Sequence, residues 1–127
     1  RDSGIFHALQ SIQEREDLLN HPKLGASWEG FALEQVIEHL NLGADEIFFW
    51  AAHTGAELDL LFQRKGKFWG VEFKYADAPR RTKSMISALQ EFDLAHLWVV
   101  YPGKKTYKLD RRISVIPIAD LSSLKMY

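Results

Sequence analysis

Three spacings of hydrophobic residues follow one another along this chain, and each predicts a different element. From Ser27 to Leu42 the spacing is helical: Leu33, Val36, Ile37 and Leu40 form a stripe at i, i+3, i+4 and i+7, and Gly43 supplies a stop. Alternation then takes over. "EIFFWAAH" (46–53), "AELDLLFQ" (56–63) and "KFWGVEFKYA" (67–76) read as three strands. "DAPRR" breaks the pattern, and Thr82 caps a helix running to about Asp93. "HLWVVYP" (96–102) is a continuous apolar run, as a buried strand requires. The polar stretch "GKKTYKLDRR" reads as a loop, and "ISVIPI" as a last strand with Pro117 placing it at an edge. Ahead of all this, residues 1–24 read as one or two short lead-in helices ended by Pro22 and Gly25. The order of helix, three strands, helix and two strands predicts an α/β sandwich: a central mixed β-sheet flanked by helices, with the 82–93 helix crossing between parallel strands.

If Lys65-Gly66 is a two-residue hairpin turn, facing residues are fixed by position. Gln63 faces Phe68, Leu61 faces Gly70, and Asp59 faces Glu72; a bulge would shift this register. Leu58, Leu60 and Phe62 then share an apolar face with Trp69, Val71 and Phe73. On the opposite face two carboxylates stand side by side, with Lys74 one step along and Glu57 adding negative charge. At ~5 Å and an effective dielectric of ~20, two carboxylates repel by roughly 3 kcal/mol. Replacing one of them (Asp59→Asn) is therefore expected to raise the melting temperature without metal. Another acid comes from the first helix. Glu29 lies four residues before Leu33, within the buried stripe, whereas Glu34 and Glu38 point away from it. The plain alternative for Glu29 is a first-turn glutamate favoured by the helix dipole. For Glu72 and Lys74 it is a surface ion pair worth ~0–1 kcal/mol.

Composition narrows what such a cluster does. The chain has 127 residues, 46% hydrophobic and 26% charged, which fits one globular domain. A net charge of −1 gives no global attraction to nucleic acid, so such a partner must be met by a local patch. Cysteine is absent, and with it disulfides, thiolate metal sites and cysteine nucleophiles. The five histidines are too scattered for a histidine metal site. No apolar run is long enough to span a membrane and no signal peptide is visible, so a cytoplasmic location is expected. The first residue is Arg1, which suggests a piece of a longer protein or a processed product.

"ELD" followed by "EFK", with thirteen positions from Asp59 to Glu72 and "GASWEGF" ahead of them, resembles the PD-(D/E)xK nuclease superfamily. More closely, the chain is similar to an uncharacterised domain that follows the ATPase module of predicted prokaryotic AAA-type ATPases. That similarity runs through "DSGIFHAL", "HPKLGASWEGFALEQVI", "HTGAELDLLF", "GVEFKYADAP" and "HLWVVYPG". Leu58 stands where the superfamily's name places proline, a position that tolerates change. The resemblance implies a restriction-endonuclease-like αβββαβ core, with Glu29, Asp59, Glu72 and Lys74 at catalytic positions, and an N-terminal ATPase module in a longer chain. It implies Mg²⁺ or Mn²⁺ held by Asp59, Glu72 and the Phe73 carbonyl, with Glu29 holding a water on that ion or a second ion. Hard carboxylate oxygens suit these cations. Lys74 then orients the attacking water or stabilises charge in the transition state.

DNA is the expected substrate, with Tyr75, Arg80, Arg81 and Lys83 beside the lysine strand as phosphate-holding candidates. Lys104, Lys105, Lys108, Arg111 and Arg112 form a second basic stretch; solvated surfaces often carry both kinds of cluster. Trp28, Trp50, Trp69 and Trp98 read as core. Two functions stay open: a metal-dependent nuclease, or a non-catalytic nuclease-fold module that binds protein or nucleic acid and positions the ATPase.

Overall fold

The stripe of apolar residues around Leu33 becomes α1, Leu24–Leu40, in a computed structural model that describes residues 24–53 and 55–125. The expected lead-in helices before residue 24 lie outside the described residues. Helix α1 ends on Asn41, at φ 54°, and Gly43 has an ordinary φ of −85°. Asn41 N–H donates to Glu38 O at 3.1 Å and Leu42 N–H to Ile37 O at 3.0 Å, which closes the helix two residues before the expected glycine. Arg64 covers the remaining carbonyls, donating to Leu40 O at 2.7 Å and Asn41 O at 3.3 Å.

A 3-10 turn at Ala44–Glu46 leads into β1 (Ile47–Ala51), β2 (Glu57–Arg64) and β3 (Lys67–Phe73). The second helix, α2 (Lys83–Phe92), follows, then β4 (His96–Tyr101), β5 (Tyr107–Asp110) and β6 (Ile113–Pro117). Thr82 caps α2 as expected, accepting from Met85 N–H at 3.2 Å, and Asp93 ends it in the left-handed region. The sheet is mixed, in the order β1-β2-β3-β4-β6-β5. Strands β3, β4 and β6 are mutually parallel, so α2 is the crossover from β3 to β4. Among the described residues no helix is long and apolar enough to cross a membrane.

Two strand expectations are corrected. "GKKTYKLDRR" contains β5, whose four residues are too polar to signal a strand and form the sheet edge. β6 is therefore internal. Pro117 is tolerated because it closes the strand: it pairs with Tyr101 of β4, while β5 has already ended its pairing at Val115.

The sheet buries both faces. Leu60, Phe62, Trp69, Val71, Phe73, Trp98 and Val100 pack with Ala32, Leu33 and Val36 of α1. On the other side Leu58, Leu61, Leu97, Val99 and Val115 pack with Met85, Ala88 and Leu89 of α2. Leu58 is thus on the face opposite to the one its alternation with Leu60 predicts. The cause is a bulge: Phe48 pairs with Leu61 but Trp50 with Leu58, so Asp59 and Leu60 together face the single residue Phe49. Gly70 makes room for the α2 layer. A Cβ there would stand 2.9 Å from Leu97 Cδ1, 3.0 Å from Leu94 Cδ1 and 3.1 Å from Leu58 Cδ2.

Candidate functional site

The hairpin between β2 and β3 closes as its sequence predicts. Lys65 and Gly66 have φ of 56° and 73°, as a two-residue turn with both residues left-handed requires. Pairs run from Arg64↔Lys67 through Gln63↔Phe68 and Leu61↔Gly70 to Leu60↔Val71. There the ladder stops, although both strands continue. β2 stays with β1 as far as Glu57, and β3 stays with β4 as far as Phe73. The hairpin becomes a fork, and Asp59 and Glu72 are the first residues beyond its last rung.

The Asp59 side chain crosses the fork. Its Oδ2 accepts from the backbone N–H of Phe73 at 2.9 Å, so a side chain takes the place of a ladder partner. Glu72 is also hydrogen-bonded to Asp59. Alternation puts Glu72 on the α2 side, next to Val99 of β4, and only 4% of it is exposed. Burial, then the charge of Asp59 and the hydrogen bond to it, push the Glu72 carboxyl up to about 9; Lys74 pulls the other way and Glu57 adds to the rise. At neutral pH Glu72 is thus protonated and donates a hydrogen bond to Asp59. The full charge repulsion expected between the pair is relieved by that shared proton.

Lys74 lies just past the end of β3. Its N–H donates to Val100 O at 3.0 Å, which anchors the backbone, while the half-buried side chain closes no ion pair among the described residues. The surface ion-pair alternative therefore does not describe this place. Glu72 is buried and bonded to a second acid, and the ammonium acts on it only through its field.

Glu29 is half-buried on α1, while Glu34 and Glu38 are exposed. Since α1 starts at Leu24, Glu29 stands outside the first turn, and the dipole reading loses its basis. Among the described residues no three His, Asp or Glu form a group suited to a metal ion. Trp28 beside Glu29 reaches the exposed ring of Tyr75, with centroids 5.8 Å apart. This contact links α1 to the residue after Lys74. It escaped sequence reasoning, which treated every tryptophan as core.

The basic candidates differ in their surroundings. Arg80 and Lys83 are exposed, whereas Arg81 is paired with Asp110 at 2.8 Å. Arg81, Thr82 and Lys83 line an open groove with Ile86 and Ser87. In the later stretch Arg112 donates to Leu94 O at 3.0 Å and pairs with Asp93 at 3.4 Å. Lys105 takes part through its backbone, exchanging hydrogen bonds with Tyr101 Oη. A buried pair was also missed: His96 Nε2 lies 2.8 Å from Ser114 Oγ, and burial, with Lys108 and Arg112 nearby, depresses the imidazole to about 4. Its only sequence signal is a histidine opening an otherwise apolar strand.

Asp59 and Glu72 bring two carboxyl groups together at the fork. Carboxylate oxygens are the hard donors that a cation such as Mg²⁺ takes one or two at a time, filling its other positions with water and phosphate. Known proteins place the chain without assigning this site. No solved structure matches it. Two uncharacterized proteins, from Mycobacterium bovis and Mycobacterium tuberculosis, are each 40% identical to it over 117 residues, covering 92% of this chain and 26% of the relative. The chain thus spans about a quarter of the length of these curated relatives. Residues 24–121 match a family described as a domain of unknown function, DUF4143, and to that family the chain belongs.

Proposed function

We propose that the fork is the centre of a metal-dependent phosphodiesterase acting on DNA, on a restriction-endonuclease-like core. One observation carries this reading: Asp59 and Glu72 meet where the ladder ends, with Lys74 two residues on and closing no ion pair among the described residues. A bound Mg²⁺ or Mn²⁺ supplies phosphate charge neutralisation and water activation. Asp59 and Glu72, with the Phe73 carbonyl, would hold the ion, and binding it requires Glu72 to give up its proton. Asp59 is kept in place by the Phe73 N–H. Lys74 presents its ammonium to the phosphate oxygens or the attacking water. Water adds to phosphorus, one P–O ester bond breaks, and the products are a phosphomonoester and a free hydroxyl.

The longer relatives leave room for further domains, and the reading extends to an attached ATPase module that delivers or gates the DNA. The net charge of −1, which gives no general attraction to nucleic acid, favours the second reading, a non-catalytic module that binds protein or nucleic acid and positions that ATPase. A cleavage assay separates the two. Single-stranded, duplex and branched DNA are incubated with Mn²⁺, with wild type compared to Asp59→Asn and Lys74→Ala. Cleavage lost in both variants supports hydrolysis. No cleavage by wild type in any metal favours the positioning module.

A further inference from the structure

We propose that the rings of Trp28, Phe31 and Tyr75 form a platform that stacks unpaired bases, so that the substrate of the fork is a single strand; this rests on the phosphodiesterase reading. Tyr75 follows Lys74 directly and is 45% exposed, resting on Trp28 of α1. Phe31 stands one helical turn beyond Trp28, where i and i+3 side chains are neighbours, and is 52% exposed. These two rings are the exposed large hydrophobics of the described residues. Both belong to the segments that also carry Glu29 and Lys74. Of the four cations from Lys74 to Lys83, Arg81 is paired with Asp110, which leaves Lys74, Arg80 and Lys83 against one anion of the same stretch, Asp77, and favours a phosphate backbone along this segment.

The chemistry selects the form of nucleic acid. A duplex keeps its base faces stacked inside and offers phosphates and groove edges. Exposed aromatic faces find a partner only when bases are unpaired, and such stacking accepts any base. A strand stacked on Tyr75 has its phosphates next to Lys74, one residue away.

The test uses the whole chain, with Ca²⁺ in place of Mn²⁺ to suppress cleavage, and labelled oligo-dT or a duplex of equal length. Binding is followed by fluorescence anisotropy. Tyr75→Ala is expected to weaken oligo-dT binding about tenfold or more, and Phe31→Ala to weaken it as well. Tyr75→Phe should stay within about twofold, since the stacking face remains, and duplex affinity should not move. Melting curves establish that the variants fold. Unchanged oligo-dT affinity in Tyr75→Ala overturns the platform, as does equal loss for duplex and single strand, or no oligonucleotide binding by wild type. If that happens while wild type still cleaves DNA with Mn²⁺, hydrolysis stands without the platform. Tyr75-dependent binding with no cleavage in any metal leaves the platform standing and removes the hydrolytic reading.

Discussion

The backbone N–H of Phe73 donates to the side chain of Asp59 across a gap where β2 and β3 no longer pair. This bond holds an acid from one strand beside Glu72, an acid on the next. The bulge at Asp59–Leu60 and the burial of the α2 face then decide how the two acids behave.

Cation binding should release a proton. Glu72 is held near 9, so an ion entering at neutral pH must displace about one proton, and apparent affinity should rise about tenfold per pH unit from 6 to 8. Calorimetric Mn²⁺ titration in buffers of different ionisation enthalpy measures both effects. Asp59→Ala should lose the site. Equal affinity in that variant, or binding independent of pH, would exclude the pair as ligands.

Stability should be highest in mildly acid solution. Glu72 is raised from 4.5 to about 9, so the unfolded chain holds fewer protons than the folded one across that window. Its contribution is therefore lost as pH rises, at about 1 kcal/mol per pH unit. His96 works in the opposite sense. Its folded value is lowered from 6.5 to about 4, so stability falls as pH drops through that range. The two slopes oppose each other between about 4.5 and 6.5, where a plateau is expected. Urea unfolding across pH should show it, and Glu72→Gln should flatten the alkaline side and turn the plateau into a rise with pH, since His96 then acts alone. An unchanged alkaline slope in that variant would assign the loss to other groups.

Asp59→Asn should gain little stability at neutral pH without metal. The shared proton has already relieved the repulsion, and the asparagine replaces a charged acceptor of the Phe73 N–H. A gain of about 1 kcal/mol should appear only above pH ~9, where Glu72 ionises in wild type. A large gain at pH 7 would mean that both acids are charged there.

Lys74→Ala should reduce cleavage by about 10²-fold or more while the melting temperature hardly moves, because the Val100 contact is made by the backbone. Mn²⁺ affinity should persist, with its pH dependence shifted upward, since Lys74 no longer pulls Glu72 down. Substantial unfolding would instead assign Lys74 a structural part.

Gly70→Ala should cost about 1–3 kcal/mol, because the added methyl meets Leu97, Leu94 and Leu58 within 3.1 Å. Chemical denaturation measures it. A neutral substitution would show that the α2 layer can shift.

Local rules made much of the chain legible. The stripe at Leu33, Val36 and Leu40 specifies α1, Thr82 specifies the start of α2, and the Lys65-Gly66 turn specifies the hairpin and its register through Leu60↔Val71. From that register alone Asp59, Glu72 and Lys74 could be brought together. Each of these follows from bonds or spacings within a few residues, so no other part of the molecule is needed to decide them. What the tertiary structure decided is the environment. The bulge that turns Leu58 to the other face depends on pairing with β1, and the edge strand β5 exists because β6 offers it a partner. The burial of Glu72 depends on α2 lying over a face that a hairpin considered alone would leave wet. A carboxylate in water and one beneath a helix have the same letter in the sequence. Only the packing of distant segments sets the solvation that leaves this one protonated.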